Sequence, residues 1–266
     1  MKILFIGDIV GKIGRQAIAL ALPDLRKKYQ PDVVVANVEN LAHGKGITSK
    51  TLMEMQEAGI EIMTSGNHVW KKQDVTEAMN ECHVNLITPA NDPRTLDNHD
   101  MINIKIGSNN LSVINLLGRV FMEEEGLRCP FQEIDKILED KIDNQDIILV
   151  DIHAEATSEK KALGWYLDGK VSAVLGTHTH IPTADAQILP QGTAYITDVG
   201  MVGPVDSVLG VKKELIIEKF FTDGPIVFKI PEEGMVEINA VLLEIDDQTK
   251  KAKSIERISQ IIEIKK

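Results

Sequence analysis

Apolar residues in this chain gather into short runs, and five of these runs end in residues able to bind a metal or carry a proton. Lys2 to Gly7 runs into Asp8, and Asp32 to Val38 into Glu39 and Asn40. Ile60 to Gly66 runs into Asn67 and His68, and Asp146 to Ile152 into His153. Val171 to Leu175 runs into Gly176-Thr177-His178-Thr179-His180. Short apolar runs bounded by turn residues read as buried strands. Helical spacing from about Gly14 to Tyr29, interrupted by Pro23, follows strand Ile3–Ile6. A helix from Thr48 to Ala58, with Thr48 or Ser49 as N-cap, follows strand Val33–Val38, and a helix near Val69–Asn80 follows strand Ile60–Thr64. This alternation predicts βαβ units and a parallel core.

The rhythm then changes. Met101–Ile106 and Leu111–Leu116 flank Gly107-Ser108-Asn109-Asn110, a hairpin signal. A helix over Phe131–Lys141, strand Ile147–Ile152, helix Ser158–Asp168 and strand Val171–Leu175 restore the alternation. The remainder is strand-rich: Ala186–Leu189, Ala194–Thr197, a helix near Lys212–Phe220, then Val236–Asp246 and Ala252–Ile258 about the turn Asp247-Gln248-Thr249. Thr197–Pro204 reads as a loop with two glycines. No linker or internal repeat divides the chain, so one domain with two packed sheets is expected.

Composition narrows the functional classes. The chain has 266 residues, is 43 % hydrophobic and 26 % charged, and carries a net charge of −11 with a pI of about 5.1. That balance argues against a general electrostatic grip on polymeric nucleic acid, which rests on clustered Lys and Arg. It leaves a phosphate substrate open, because bound cations invert the local charge. Cys82 and Cys129 fit no zinc spacing and read as reduced thiols, which suggests the cytoplasm. Residues 1–10 do not read as a signal peptide, and no apolar run approaches the roughly 20 residues needed to span a bilayer.

Open parallel sheets bind ligands beyond the carboxyl ends of their strands, so five such exits on one face would supply a polynuclear metal site. His178 and His180 lie one residue apart and would point the same way from an extended segment. Glu39 follows a nearly all-apolar strand, where an acid needs a partner, and its two oxygens could bridge two cations. In Gly66-Asn67-His68, glycine permits close backbone approach, Asn67 offers a neutral oxygen and His68 a proton. A turn explains Gly-Asn equally well, and a lone histidine such as His153 is more often a hydrogen-bonded core residue than a ligand. Gly7-Asp8-Ile9-Val10-Gly11-Lys12 resembles a phosphate loop but has three residues between its glycines and Ile13 after Lys12, so it is not a Walker motif. Arg119 could hold a phosphate oxygen or form a surface ion pair. His43, His83 and His99 read as loop or surface residues, of which only His43 is close to the expected site.

Asp8, Glu39, Gly66-Asn67-His68, His153 and Gly176-x-His178-x-His180 resemble, in order, the calcineurin-like metallophosphoesterases. The stretches Glu39 to Gly46, Asp151 to Lys160 and Thr197 to Met201 bring the likeness to the YmdB-type branch, over nearly the whole chain. The resemblance implies one metallophosphoesterase domain over residues 1–266, an α/β fold built as a four-layer α/β/β/α sandwich of two mixed sheets. It implies a dinuclear metal centre, with iron expected and manganese or zinc as alternatives. Asp8, Glu39, Asn40 and His180 would hold one metal; Glu39, Asn67, His153 and His178 would hold the other. His68 would be the proton donor. The implied activity is hydrolysis of cyclic nucleotides, 2′,3′-cyclic with 3′,5′-cyclic left open, by metal-activated hydroxide. A departure stands at Val10, where the wider superfamily has histidine; Asn40 would substitute. Two other readings stay open: a phosphomonoesterase or protein phosphatase on the same site, and a non-catalytic nucleotide-binding regulatory module. No membrane partner is expected, and homo-oligomerisation is left open.

Overall fold

A computed structural model describes residues 1–265 except 73, 74, 77, 78, 80, 81, 123, 144, 145 and 223. Two mixed sheets dominate it. The first contains β1 (Lys2–Ile6), β2 (Asp8–Ile9), β3 (Val33–Asn37), β4 (Ile62–Thr64), β11 (Met201–Pro204), β14 (Gly234–Ile245) and β15 (Ala252–Ile264). Its order is β2-β11-β14-β1-β3-β4, with β15 also paired to β14. The second contains β5 (Met101–Ile106), β6 (Asn109–Leu117), β7 (Ile147–His153), β8 (Ala173–Thr177), β9 (Gln187–Ile188) and β10 (Ala194–Ile196), in the order β5-β6-β7-β8-β10-β9. A small hairpin joins β12 (Ser207–Val208) to β13 (Val211–Lys212). The expected parallel core is present: β1, β3 and β4 run parallel, as do β6, β7, β8 and β10.

The period-2 alternation of strand side chains divides the apolar residues among three clusters. Leu4, Ile6 and Val34 face α1 (Gly11–Tyr29) and α2 (Ser49–Glu57) through Ile18, Leu22 and Leu52. Ile3, Phe5, Val33 and Val35 face the other way, onto Val113, Leu149 and Leu175 of the second sheet. Ile114, Val150 and Ile152 pack on α3 (Pro130–Asp140) and α4 (Thr157–Tyr166) through Ile134, Ile137 and Leu163. Strands with both faces covered carry no polar alternation, which is why their sequences are nearly all apolar. By contrast, α5 (Lys213–Phe221) buries none of its side chains.

Several sequence expectations need correction. Helix α1 begins at Gly11 and continues through Pro23 without interruption. Pro23 and the carbonyl four residues earlier, at Ala19, lie on the exposed side, where water can satisfy the freed oxygen. The N-cap of α2 is Thr48, one of the two candidates expected, in a reciprocal capping box with Thr51. Of the helix expected near Val69–Asn80, Val69–Lys71 form a 3-10 turn and Val75, Thr76 and Met79 are helical; 73, 74, 77, 78 and 80 lie outside the described residues. Thr197–Pro204 is not wholly a loop, because Met201–Pro204 forms β11 between β2 and β14. Its pairing partners are distant in sequence, so no local pattern announces it.

The two sheets and their loops come together most tightly at glycines. A Cβ on Gly7 would lie 1.9 Å from the Gly200 carbonyl oxygen, and one on Gly176 would lie 1.7 Å from that of Thr197. Neither backbone can yield cheaply. Gly7→Ala is therefore expected to cost about 1–3 kcal/mol or more in urea denaturation. Gly224→Ala, where a Cβ meets nothing within 4 Å, should be nearly neutral. Equal stability of the two variants would contradict this packing account.

Candidate metal centre

The eight residues singled out from the sequence lie in loops at the carboxyl ends of these strands, or at the strand ends themselves. Glu39 is 1 % exposed and central. Its Oε1 lies 3.2 Å from His153 Nε2 and 3.1 Å from both His68 Nδ1 and Asn40 Nδ2. Its Oε2 accepts the His68 backbone N–H at 2.9 Å. Asn40 reaches the second face of the cluster, with Nδ2 3.2 Å from His180 Nε2 and Oδ1 2.9 Å from His68 Nδ1. Asp8 Oδ2 accepts the His178 backbone N–H at 3.1 Å, and its Oδ1 lies 3.9 Å from His180 Nε2. His178 Nδ1 lies 3.0 Å from His153 Nε2. Asn67 stands between Gly66 and His68 with its Oδ1 buried.

Each of three imidazoles has one nitrogen fixed outward, so the other faces the cluster. The Thr177 hydroxyl donates to Asp151 Oδ1 at 2.7 Å, so it accepts from His153 Nδ1–H at 2.9 Å and leaves Nε2 pointing inward. His180 Nδ1–H donates to the Leu209 carbonyl at 3.1 Å. His178 Nε2 faces Glu155 Oε2 at 3.2 Å, which turns its Nδ1 inward. Asp151 is itself held by Thr64 and Asn37, all three being fully buried.

Electrostatics follow from this burial. Burial alone would raise the Glu39 carboxyl, but His153 and His68 facing it hold it well below the usual carboxylate range. Burial would lower His153, yet Glu39 first, then Asp8 and Asp151, push it up to about 9. Burial, reinforced by His153, pushes His178 down to about 3. Burial raises Asp8 despite His180 and His153, and raises Asp151 to about 6.

The donor set fits metal cations. Ligand atoms of Glu39, His153 and His178 all lie within 4.8 Å of one another. Asp8 Oδ1 and Asn67 Oδ1 are buried without a hydrogen-bond partner, a costly state that a cation would relieve. A Cβ on Gly66 would lie 2.3 Å from both Glu39 Oε2 and His153 Nε2, so glycine alone leaves this space open. Cation binding would displace the proton that Glu39 holds on His153.

The doublet is not on an extended segment as expected. Strand β8 ends at Thr177, and His178 and His180 have φ of 99° and 65°. That unfavourable backbone persists because other groups over-determine it. Asp198 Oδ2 accepts Thr179 N–H at 3.0 Å and Lys160 Nζ at 2.7 Å, and Lys160 also donates to the Thr177 carbonyl at 2.6 Å. Lys160 and Asp198 are both 0 % exposed. Sequence reasoning gave no role to Lys160, Asp198, Asp151, Thr177 or Asn37. A lysine beside Glu159 on a helix carries no local sign of burial. Arg119 is exposed and forms no ion pair among the described residues; its backbone N–H is capped by Glu159.

A family model described as YmdB-like protein matches residues 4–258. The 2′,3′-cyclic-nucleotide 2′-phosphodiesterase of Bacillus subtilis (strain 168) is 46 % identical over 258 residues, covering 97 % of this chain and 96 % of that protein. A crystal structure from Mycoplasma pneumoniae, described as a novel phosphatase, superposes with a TM-score of 0.91 at 36 % identity, over 99 % of this chain and 94 % of that one. A Haemophilus influenzae NAD nucleotidase shares the fold alone, with a TM-score of 0.56 at 13 % identity, over 99 % of this chain and 56 % of that one.

Removing one member of a buried ion pair strands the other charge, which typically costs about 3–5 kcal/mol. Lys160→Met should destabilise by roughly that amount. The double variant Lys160→Met/Asp198→Asn should recover part of the loss, because the stranded charge is gone and an oxygen remains for Thr179. Urea denaturation of both proteins checks this; a neutral single variant contradicts the clamp.

Proposed function

This chain belongs to the YmdB-like protein family, and from that premise we propose that it is a dinuclear metal-dependent phosphodiesterase that opens 2′,3′-cyclic nucleotides. It is a hydrolase of phosphoric esters, in keeping with the phosphodiesterase and phosphatase names of its relatives. The observation that carries the finer reading is the convergence of Glu39 Oε1, His153 Nε2 and His178 Nδ1 beside the two unpartnered oxygens of Asp8 and Asn67. In this reading Asp8, Asn40 and His180 would hold one cation, Asn67, His153 and His178 would hold the other, and Glu39 would serve both. Iron is the proposed metal, with manganese and zinc as alternatives. Such a pair supplies Lewis acidity toward the phosphoryl oxygens and the attacking water.

The protein's own groups do the rest. Thr177 with Asp151, the Leu209 carbonyl and Glu155 fix the tautomers of His153, His180 and His178, so no ligand rotates away. His68 Nδ1 is tied to Asn40 and Glu39, which leaves Nε2 to protonate the departing ribose oxygen. Two experiments test the scheme. His178→Ala should lose about one metal equivalent of the two proposed, by metal analysis, while the fold survives; full occupancy of both positions would refute the assignment. His68→Ala should lose about 10²–10⁴-fold on a cyclic nucleotide. It should lose much less on bis(p-nitrophenyl) phosphate, whose leaving group needs no proton, and should retain metal. Equal losses on both substrates would defeat the role of proton donor.

A further inference from the structure

A cavity of about 600 Å³ is lined by three lysines, Lys12, Lys212 and Lys229, by two carboxylates, Glu232 and Glu233, and by His43, Phe228 and Ile230. That volume lies in the range of small-ligand sites. Three chain tethers join it to the proposed metal centre. Lys12 is four residues from Asp8, His43 is three from Asn40, and Lys212 is three from Leu209, whose carbonyl holds His180. At about 3.8 Å per residue, no tether exceeds roughly 11–15 Å. Gly11 and Gly44 press against Ile230, where a Cβ would lie 2.9 Å and 2.6 Å from its Cδ1, so the floor of the cavity is built on the same two strand exits. Lys212 N–H donates to the Lys229 carbonyl at 2.8 Å, which holds these two residues side by side. Lys12, Lys212 and Lys229 form no ion pair among the described residues, in a chain of net charge −11. Phe228 is half exposed beside them.

Unpaired ammonium groups around a concave site next to a phosphoryl centre call for a second anion on the same substrate. We propose that this cavity binds the next phosphate and base of a short RNA, so that the preferred substrate is a 2′,3′-cyclic phosphate at the end of an oligonucleotide rather than a free mononucleotide. This rests on the phosphodiesterase reading above and names its substrate class. The lysines serve as point charges for the phosphate, and Phe228 offers a face for the base. Glu232 and Glu233, which line the same cavity, disfavour a longer anionic chain. The net charge of −11 disfavours a general grip on polymeric nucleic acid.

The test compares kcat/KM for 2′,3′-cyclic AMP, its 5′-phosphorylated form, and the dinucleotide ApA ending in a 2′,3′-cyclic phosphate. The metal-replete full chain is compared with Lys12→Gln/Lys212→Gln/Lys229→Gln. The dinucleotide should be preferred by about tenfold or more, the effect of roughly one charge-assisted contact. The triple variant should lose that preference and keep its rate on 2′,3′-cyclic AMP. Equal rates on mononucleotide and dinucleotide overturn the proposal, as does a 5′-phosphorylated mononucleotide that matches the dinucleotide. Calorimetric binding of the linear dinucleotide pApA gives a second readout. If no cyclic nucleotide is turned over, the phosphodiesterase reading fails and pApA alone judges the cavity. Binding weakened about tenfold in the triple variant then supports it, and unchanged binding overturns it. Should the triple variant not fold, Lys229→Gln, on an exposed residue, takes its place with the same outcomes.

Discussion

A carboxylate buried at the end of an apolar strand cannot stand alone, and Glu39 is such a carboxylate. The arrangement around it follows from that constraint. His153, His68 and Asn40 converge on one of its oxygens, and the His68 backbone on the other. These partners come from β7, from the loop after β4 and from its own loop. Both sheets must therefore meet at their carboxyl ends, and the glycines there must be glycines. Gly66 leaves the space in which Glu39 and His153 face each other.

The surroundings obey the same rule one step out. Asp151, fully buried, is tolerated because Thr64, Thr177 and Asn37 donate to it. Thr177 then passes that order on to the His153 ring. Lys160 and Asp198 form a second buried charge pair, whose hydrogen bonds hold the turn that carries His178 and His180. A fully connected buried network rigidifies, whereas a half-satisfied one would be worse than an apolar core. Rigidity is what a constellation of ligands needs, since loosening it by a fraction of an ångström would spoil donor convergence. Among the described residues, two buried oxygens near the centre, Asp8 Oδ1 and Asn67 Oδ1, stay outside this network, and both belong to the proposed ligand set.

The same strand exits govern a wider surface. The segments that follow β1 and β3 carry Asp8 and Asn40 to the centre, then Lys12 and His43 to a cavity. The hairpin of β12 and β13 joins them through the Leu209 carbonyl and Lys212. A chain that is acidic overall thus presents local cationic groups beside the place where its fold concentrates metal-binding donors.

Much was legible in the sequence because the signals are local. Apolar runs and the helical spacing between them mark β1, β3, β4, β7 and β8, and polar residues at the ends of these strands mark the strand ends and loops where Asp8, Glu39, Asn67, His68, His153, His178 and His180 lie. Strand β11 escaped, because its pairing depends on β2 and β14, far away along the chain. So did the left-handed backbone at His178 and His180, which no run of residue types encodes. Lys160 looked like any surface lysine, and its partner Asp198 is 38 residues away. Which nitrogen of each imidazole faces inward was equally hidden, since Thr177, Leu209 and Glu155 make that choice across the fold. Periodicity records which face of an element is buried. The partner that makes a buried charge tolerable is a matter of three-dimensional proximity, and only the tertiary structure decides it.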